Sequence, residues 1–195
     1  MRLAIRMLCA AASLTACGGT TLHAPDAATP LFDPIVFFDG HTLSRGVVED
    51  RSGAPTEWIV TDGRASVGTD NRLHLVQHLT YQDGKTMERT WIVWRTGPNR
   101  FNATADDMIG TAAGESDGGI FHWRWVLARS PGNPLMNVTM EQWMYGLGDG
   151  SALIRTTVSK FGFIVAEVAE QFSHPEAAVP PAPSACAIQA GGPHG

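Results

Sequence analysis

Asp106 and Asp107 stand side by side. Two carboxylates that share a site repel each other, which raises one pKa and makes a general acid. This pair is therefore the candidate catalytic pair. Against it, neighbours on a strand point to opposite faces, and a turn, hydrogen-bond or salt-bridge role is the plainer reading. His122 and Arg124 are two apart and share one face of a strand. If that face lines a lumen, Arg124 pairs with a carboxylate head group and His122 tunes it. The alternative is a solvated outer face, with Trp123 and Trp125 on the inner one. With Trp143 these aromatics are the candidate lining of a ligand pocket, or simply core.

Other groups point away from chemistry. His74 and His78 are four apart, which on a strand separates them by ~13 Å, too far to share one ion unaided. Lys160 reads as a surface lysine. There is no phosphate-cradling loop and no dinucleotide fingerprint. No metal and no cofactor is expected.

Cys17 carries a different chemistry. Arg2 and Arg6 precede a short apolar run that ends at Leu14-Thr15-Ala16-Cys17. A positive start and a brief apolar stretch make a secretory signal, too short to span a bilayer. The last four residues look like a bacterial lipobox. Residues 1–16 are expected to be removed and Cys17 to be acylated, with palmitate or a similar chain. Gly18, where Asp would be the inner-membrane cue, favours the periplasmic face of the outer membrane. With Cys9 removed and Cys17 acylated, only Cys186 remains, so no internal disulfide is expected.

The elements that must position these groups read as strands. Residues 17–34 are rich in Ala, Thr, Gly and Pro and read as a tether. Residues 174–195 are similar and read as a disordered tail. Between them, over 35–173, apolar alternation runs between turn signals such as Asp62-Gly63, Asp83-Gly84, Asp117-Gly118 and Asp149-Gly150. Phe121, Trp123, Trp125 and Leu127 share one face; so do Leu73, Leu75 and Leu79, together with Gln77. Arg64–Gly68 reads as a separate short return after Asp62-Gly63, and Arg100–Ala113 as one run. Residues 163–172 fit either a strand or a helix. The count is about eight to ten strands, and short connections favour antiparallel neighbours.

A sheet that long must close or split. The expected fold is all-β: an antiparallel up-and-down meander closing as a lipocalin/calycin-like barrel, with a two-sheet β-sandwich as runner-up. The 195 residues allow one such domain with tails. A net charge of -5 argues against nucleic acid as partner. The chain is expected to be a monomer.

Several stretches also resemble a known family. FFDGHTLSRGVVEDRSG (37–53), TYQDGKTMERTW (80–91), ATADDMIGTAAGE (103–115), FHWRW (121–125), EQWMY (141–145) and SKFG (159–162) are similar, in order and spacing, to the domain of unknown function 3833 family of bacterial proteins. The resemblance implies an envelope location and a barrel, tilts the ligand towards lipid and supplies no mechanism. The chain departs from the family pattern at Gln77, where an acid is expected. It departs again at Gly119 and Ile154, where Asn is usual, and at Glu141-Gln142, where an acidic pair is usual.

The function expected from all this is a lipid-anchored barrel that holds a small hydrophobic or amphipathic ligand, a fatty acid or modified lipid. An enzyme on the same barrel using an acid, or a ligand-free structural envelope protein, are the alternatives. A lumen filled by side chains would mean the last, and an open one with a buried acid–His pair an enzyme.

Overall fold

The computed structural model describes residues 31–130 and 132–175. The chain enters through one short helix, α1 (Pro34–Phe38). Ten strands follow: β1 (Gly40–Asp50), β2 (Pro55–Val67), β3 (Leu73–Tyr81), β4 (Thr86–Gly97), β5 (Arg100–Ala105), β6 (Met108–Asp117), β7 (Ile120–Leu127), β8 (Val138–Gly146), β9 (Ala152–Lys160) and β10 (Phe163–Ser173). A single 3-10 turn, Pro134–Met136, lies between β7 and β8.

Each strand pairs antiparallel with the next, and β10 returns to β1, from Leu43 opposite Ser173 to Asp50 opposite Ala166. The sheet is a closed barrel, so no edge is left unpaired. That settles the choice against the two-sheet sandwich. Alternation sets the inside. On β7, Phe121, Trp123 and Trp125 are buried, while His122 and Arg124 face out. On β3 and β4, Leu73, Leu75, Leu79, Arg89, Trp91 and Val93 are buried.

Three boundaries differ from the sequence reading. Asp62-Gly63 is not a turn; β2 runs straight through it. Gly63 lies opposite Thr42, and a Cβ there would come within 2.6 Å of Thr42 Oγ1. The glycine serves close packing inside the barrel. Arg100–Ala113 is not one run; it is broken at Asp106-Asp107, which turn the chain from β5 into β6. Residues 163–172 are strand, the one that closes the barrel.

The ends of the domain also differ. Phe32–Pro34 belong to the fold and not to a tether: Phe32 is buried, and its N–H donates to Gly118 O at 2.7 Å. Ser116 Oγ donates to Phe32 O at 2.6 Å. Asp33 caps α1, its Oδ1 accepting from the Ile35 and Val36 N–H groups, and also pairs with Arg95. Pro34 takes the first helical position, where its missing N–H costs nothing. Phe38 packs edge-on against Phe172, ring centroids 5.7 Å apart, so α1 closes one end of the barrel. His174 likewise belongs to the fold, Nδ1 lying 3.2 Å from His41 O. The expected signal segment 1–16, Cys17, most of the tether and the tail with Cys186 lie outside the described residues. Among the described residues no helix is long and apolar enough to cross a membrane.

Candidate functional site

The lumen is packed around indoles. Trp91 stacks on Trp123 at 5.1 Å and meets Trp125 edge-on at 5.0 Å. Offset stacks and edge contacts are the favoured aromatic geometries. Buried indoles need acceptors, and two glutamines supply them. Trp91 Nε1 donates to Gln77 Oε1 at 2.9 Å. Trp123 Nε1 and Trp125 Nε1 both donate to Gln142 Oε1, at 2.6 and 3.2 Å. Gln142 Nε2 then donates to Thr156 Oγ1 at 2.9 Å. The amides thus fix the rings rather than waiting for a ligand.

Two charged residues share this interior. Arg89, on β4, is buried between Trp125 and Trp91, its Cζ 5.1 and 5.8 Å from their rings. Its Nε and Nη2 both lie 2.8 Å from Asp107 Oδ2. Glu170, on β10, reaches in opposite Gly46 of β1. A Cβ at position 46 would collide with Glu170 Cγ, so the glycine makes room for the acid. Ser44 Oγ and Thr61 Oγ1 donate to Glu170 Oε1 at 2.8 and 3.1 Å. Both bonds fall on Oε1. Burial raises the Glu170 pKa above its ordinary value; the two hydroxyls and the Arg89 charge oppose that rise without cancelling it.

Between these groups lies a cavity of about 60 Å³. Glu170, Arg89, Gln77 and Gln142 give it polar walls; Phe38, Leu75, Val93, Met144, Ile154 and Phe172 give it apolar ones. Its volume suits a few heavy atoms or a small number of waters, well below the ~300–1,000 Å³ of an ordinary ligand pocket. No His lines it. Among the described residues no cluster of three His, Cys, Asp or Glu is placed to hold a metal ion.

The residues singled out from sequence are divided by the barrel wall. Trp123 and Trp125 line or flank the lumen. His122, Arg124 and Trp143 do not: they lie on the outer face, so the expected head-group role of Arg124 in the lumen is corrected. There His122 Nε2 sits 3.1 Å from Glu141 Oε1, and Arg124 Nη2 is 3.9 Å from Glu141 Oε2. The His122 ring lies against Trp143 at 4.1 Å. Strand parity is the reason: with Trp123 and Trp125 inside, residues 122 and 124 must point out. Asp106 and Asp107 sit at the end of the barrel away from α1. Asp106 Oδ1 accepts from the Thr90 N–H at 3.1 Å, and Asp107 is the partner of Arg89.

Glu170 and Arg89 were missed in sequence. The signal was there: each is a charge on the apolar face of its strand, Glu170 with Val168 and Phe172, Arg89 with Trp91 and Val93. Gln77, Gln142 and Ile154, three positions where the resemblance leads to a different residue being expected, all line this cavity.

Comparison with known proteins gives a family and a fold. A family model described as "Protein of unknown function (DUF3833)" matches residues 11–174. No curated protein sequence matches. Among solved structures, the S-type phycobiliprotein lyase CPES from Guillardia theta aligns with a TM-score of 0.52 and 5% identity, over 71% of this chain and 87% of that one. A protein of unknown function from the DUF3598 family, from Nostoc punctiforme, aligns with a TM-score of 0.52 and 14% identity, over 76% of this chain and 51% of that one. At such identities the likeness is one of fold alone. The chain belongs to the DUF3833 family.

Proposed function

We propose that this DUF3833 barrel binds a small amphipathic ligand, a fatty acid or a modified lipid, with its polar end on Glu170 and Arg89. The observation that carries the reading is the enclosed carboxyl of Glu170 beside a cavity. The two hydroxyls offset only part of the cost of burying this acid, and a hydrophobic residue of similar size would fill the barrel at less cost. Protonated, Glu170 donates to a carboxylate or carbonyl; ionised, it accepts from a hydroxyl. Arg89 compensates charge from the other side. The alkyl part lies against Phe38, Leu75, Val93 and Met144, at ~0.8 kcal/mol per buried CH₂.

The cavity of about 60 Å³ takes the polar end and the carbons next to it. A longer ligand takes the space that Phe38 and Pro34 now fill, with α1 swung outward. The same tight filling favours a second reading, a structural envelope protein with no ligand. The first reading also has the chain acylated at Cys17 and held as a monomer at the periplasmic face of the outer membrane.

Both are tested on protein purified from envelope extracts. Mass spectrometry should find co-eluting lipid in the natural chain, and Glu170→Gln should reduce it several-fold. Absence of lipid, with no displacement of an apolar fluorescent probe, leaves the structural reading. Labelling with radioactive palmitate should be lost in Cys17→Ala; labelling that persists removes the anchor.

A further inference from the structure

The end of the barrel opposite α1 carries an apolar point. β9 and β10 are joined by the two residues Phe161-Gly162, both at positive φ, 52° and 84°. This is the mirror-image hairpin turn that favours Asn, Asp or Gly at both places. A phenylalanine there is strained, and burial does not offset the strain, since Phe161 is 75% exposed. Phe163 is 75% exposed as well, and Ile164 and Val165 follow at 50% and 40%. Consecutive exposed residues mean that both faces of the hairpin stand clear of the barrel wall. The 3-10 turn adds Leu135 and Met136, and Lys160 Nζ bridges the two loops, 4.0 Å from Met136 Sδ. The same ammonium lies 5.6 Å from the Phe161 ring.

Charge separates this point from the rest of the chain. Segments 128–137 and 159–165 hold two cations, Arg129 and Lys160, and no acid, in a chain of net charge -5. Of the carboxylates at this end, Asp50 lies opposite Ala166, Asp106 accepts from the Thr90 N–H, and Asp107, whose backbone O accepts from the Ala128 N–H, is answered by Arg89. We infer that this tip inserts into a lipid surface that bears anionic head groups. Bulky apolar residues with a lysine whose stem lies along them suit the boundary between acyl chains and head groups. A protruding point of six side chains is also a poor protein interface, which needs a broad surface of ~800 Å² per partner. The anchor expected at Cys17 does not prevent this contact. Leu31 lies fourteen positions after Cys17 in the sequence.

The test uses the full chain carrying Cys17→Ala and vesicles of phosphatidylethanolamine with phosphatidylglycerol, separated by flotation. Phe161→Asn suits the turn better than the natural residue, so it should raise the melting temperature. It should also lower the vesicle-bound fraction about tenfold. Lys160→Glu should weaken binding to these vesicles and leave binding to phosphatidylcholine unchanged. In Phe161→Trp the added emission should shift to the blue and be quenched by lipids brominated on the acyl chain, which a signal segment elsewhere cannot mimic. Equal binding of the natural chain and Phe161→Asn, or added emission indifferent to vesicles, overturns the inference. So does a dimeric mass by light scattering that Phe161→Asn reduces to a monomer, because the tip would then be covered by a second copy.

Discussion

Glu170 gives the barrel a pH dependence whose sign follows from its raised pKa. Folding holds on to a proton that the unfolded chain releases at the ordinary carboxylate pKa. Between that pKa and the higher folded value, the unfolded state binds fewer protons, so stability falls as pH rises. Above the folded value the loss is complete. Glu170→Gln cannot ionise and still accepts from Ser44 and Thr61. Its melting temperature should match the natural chain in acid and exceed it at neutral pH. Parallel profiles across that range would mean that the carboxyl titrates normally. Arg89 differs, because its charge is already answered by Asp107. One Asp107 oxygen, Oδ1, is buried with no hydrogen-bond partner. Acidic neighbours at 106 and 107 take the plainer of the two roles open to them in sequence: the turn sends one to the Thr90 N–H and the other to Arg89.

Among the elements, α1 is the one that closes the lumen without being part of its wall. It is a single turn held by the Asp33 cap and the seating of Phe38. Phe38→Ala should cost roughly 3–5 kcal/mol in chemical denaturation, as large aromatic truncations in a core do. It should also enlarge the cavity and raise affinity for a long-chain fluorescent fatty acid. Unchanged affinity would mean that chains do not enter past α1. The helix was hidden in sequence because Phe32 and Pro34 continue a Pro-rich stretch, and one helical turn is too short to show a period. The strands were legible where alternation was strong, as in β7. They were misdivided where local turn chemistry and packing disagreed. Asp62-Gly63 looks like a hairpin, yet the glycine is there for Thr42; Asp106-Asp107 lacks a glycine, yet it turns. In β10 the weak apolar pattern comes from the exposed tip at one end and Glu170 on the inner face. Both are departures from the alternation of a core strand.

For the molecule as a whole, strand count alone argues that the sheet closes or splits, and the pairing of β10 with β1 decides for closure. Which charges would end inside could not, because that depends on the parity of each strand and on where small residues give way. Gly46 across from Glu170 is such a place. The seam between β1 and β10 has a further consequence. Every other pairing in the sheet joins neighbours in sequence, but this one joins the first strand to the last. A chain still on the ribosome, or cut short before residue 163, has β1 and β9 bare along their lengths. Such an intermediate is a template for mispairing, and it cannot become native by waiting. The native barrel can therefore close only once β10 has been made, and the seam is the last of its pairings to become available.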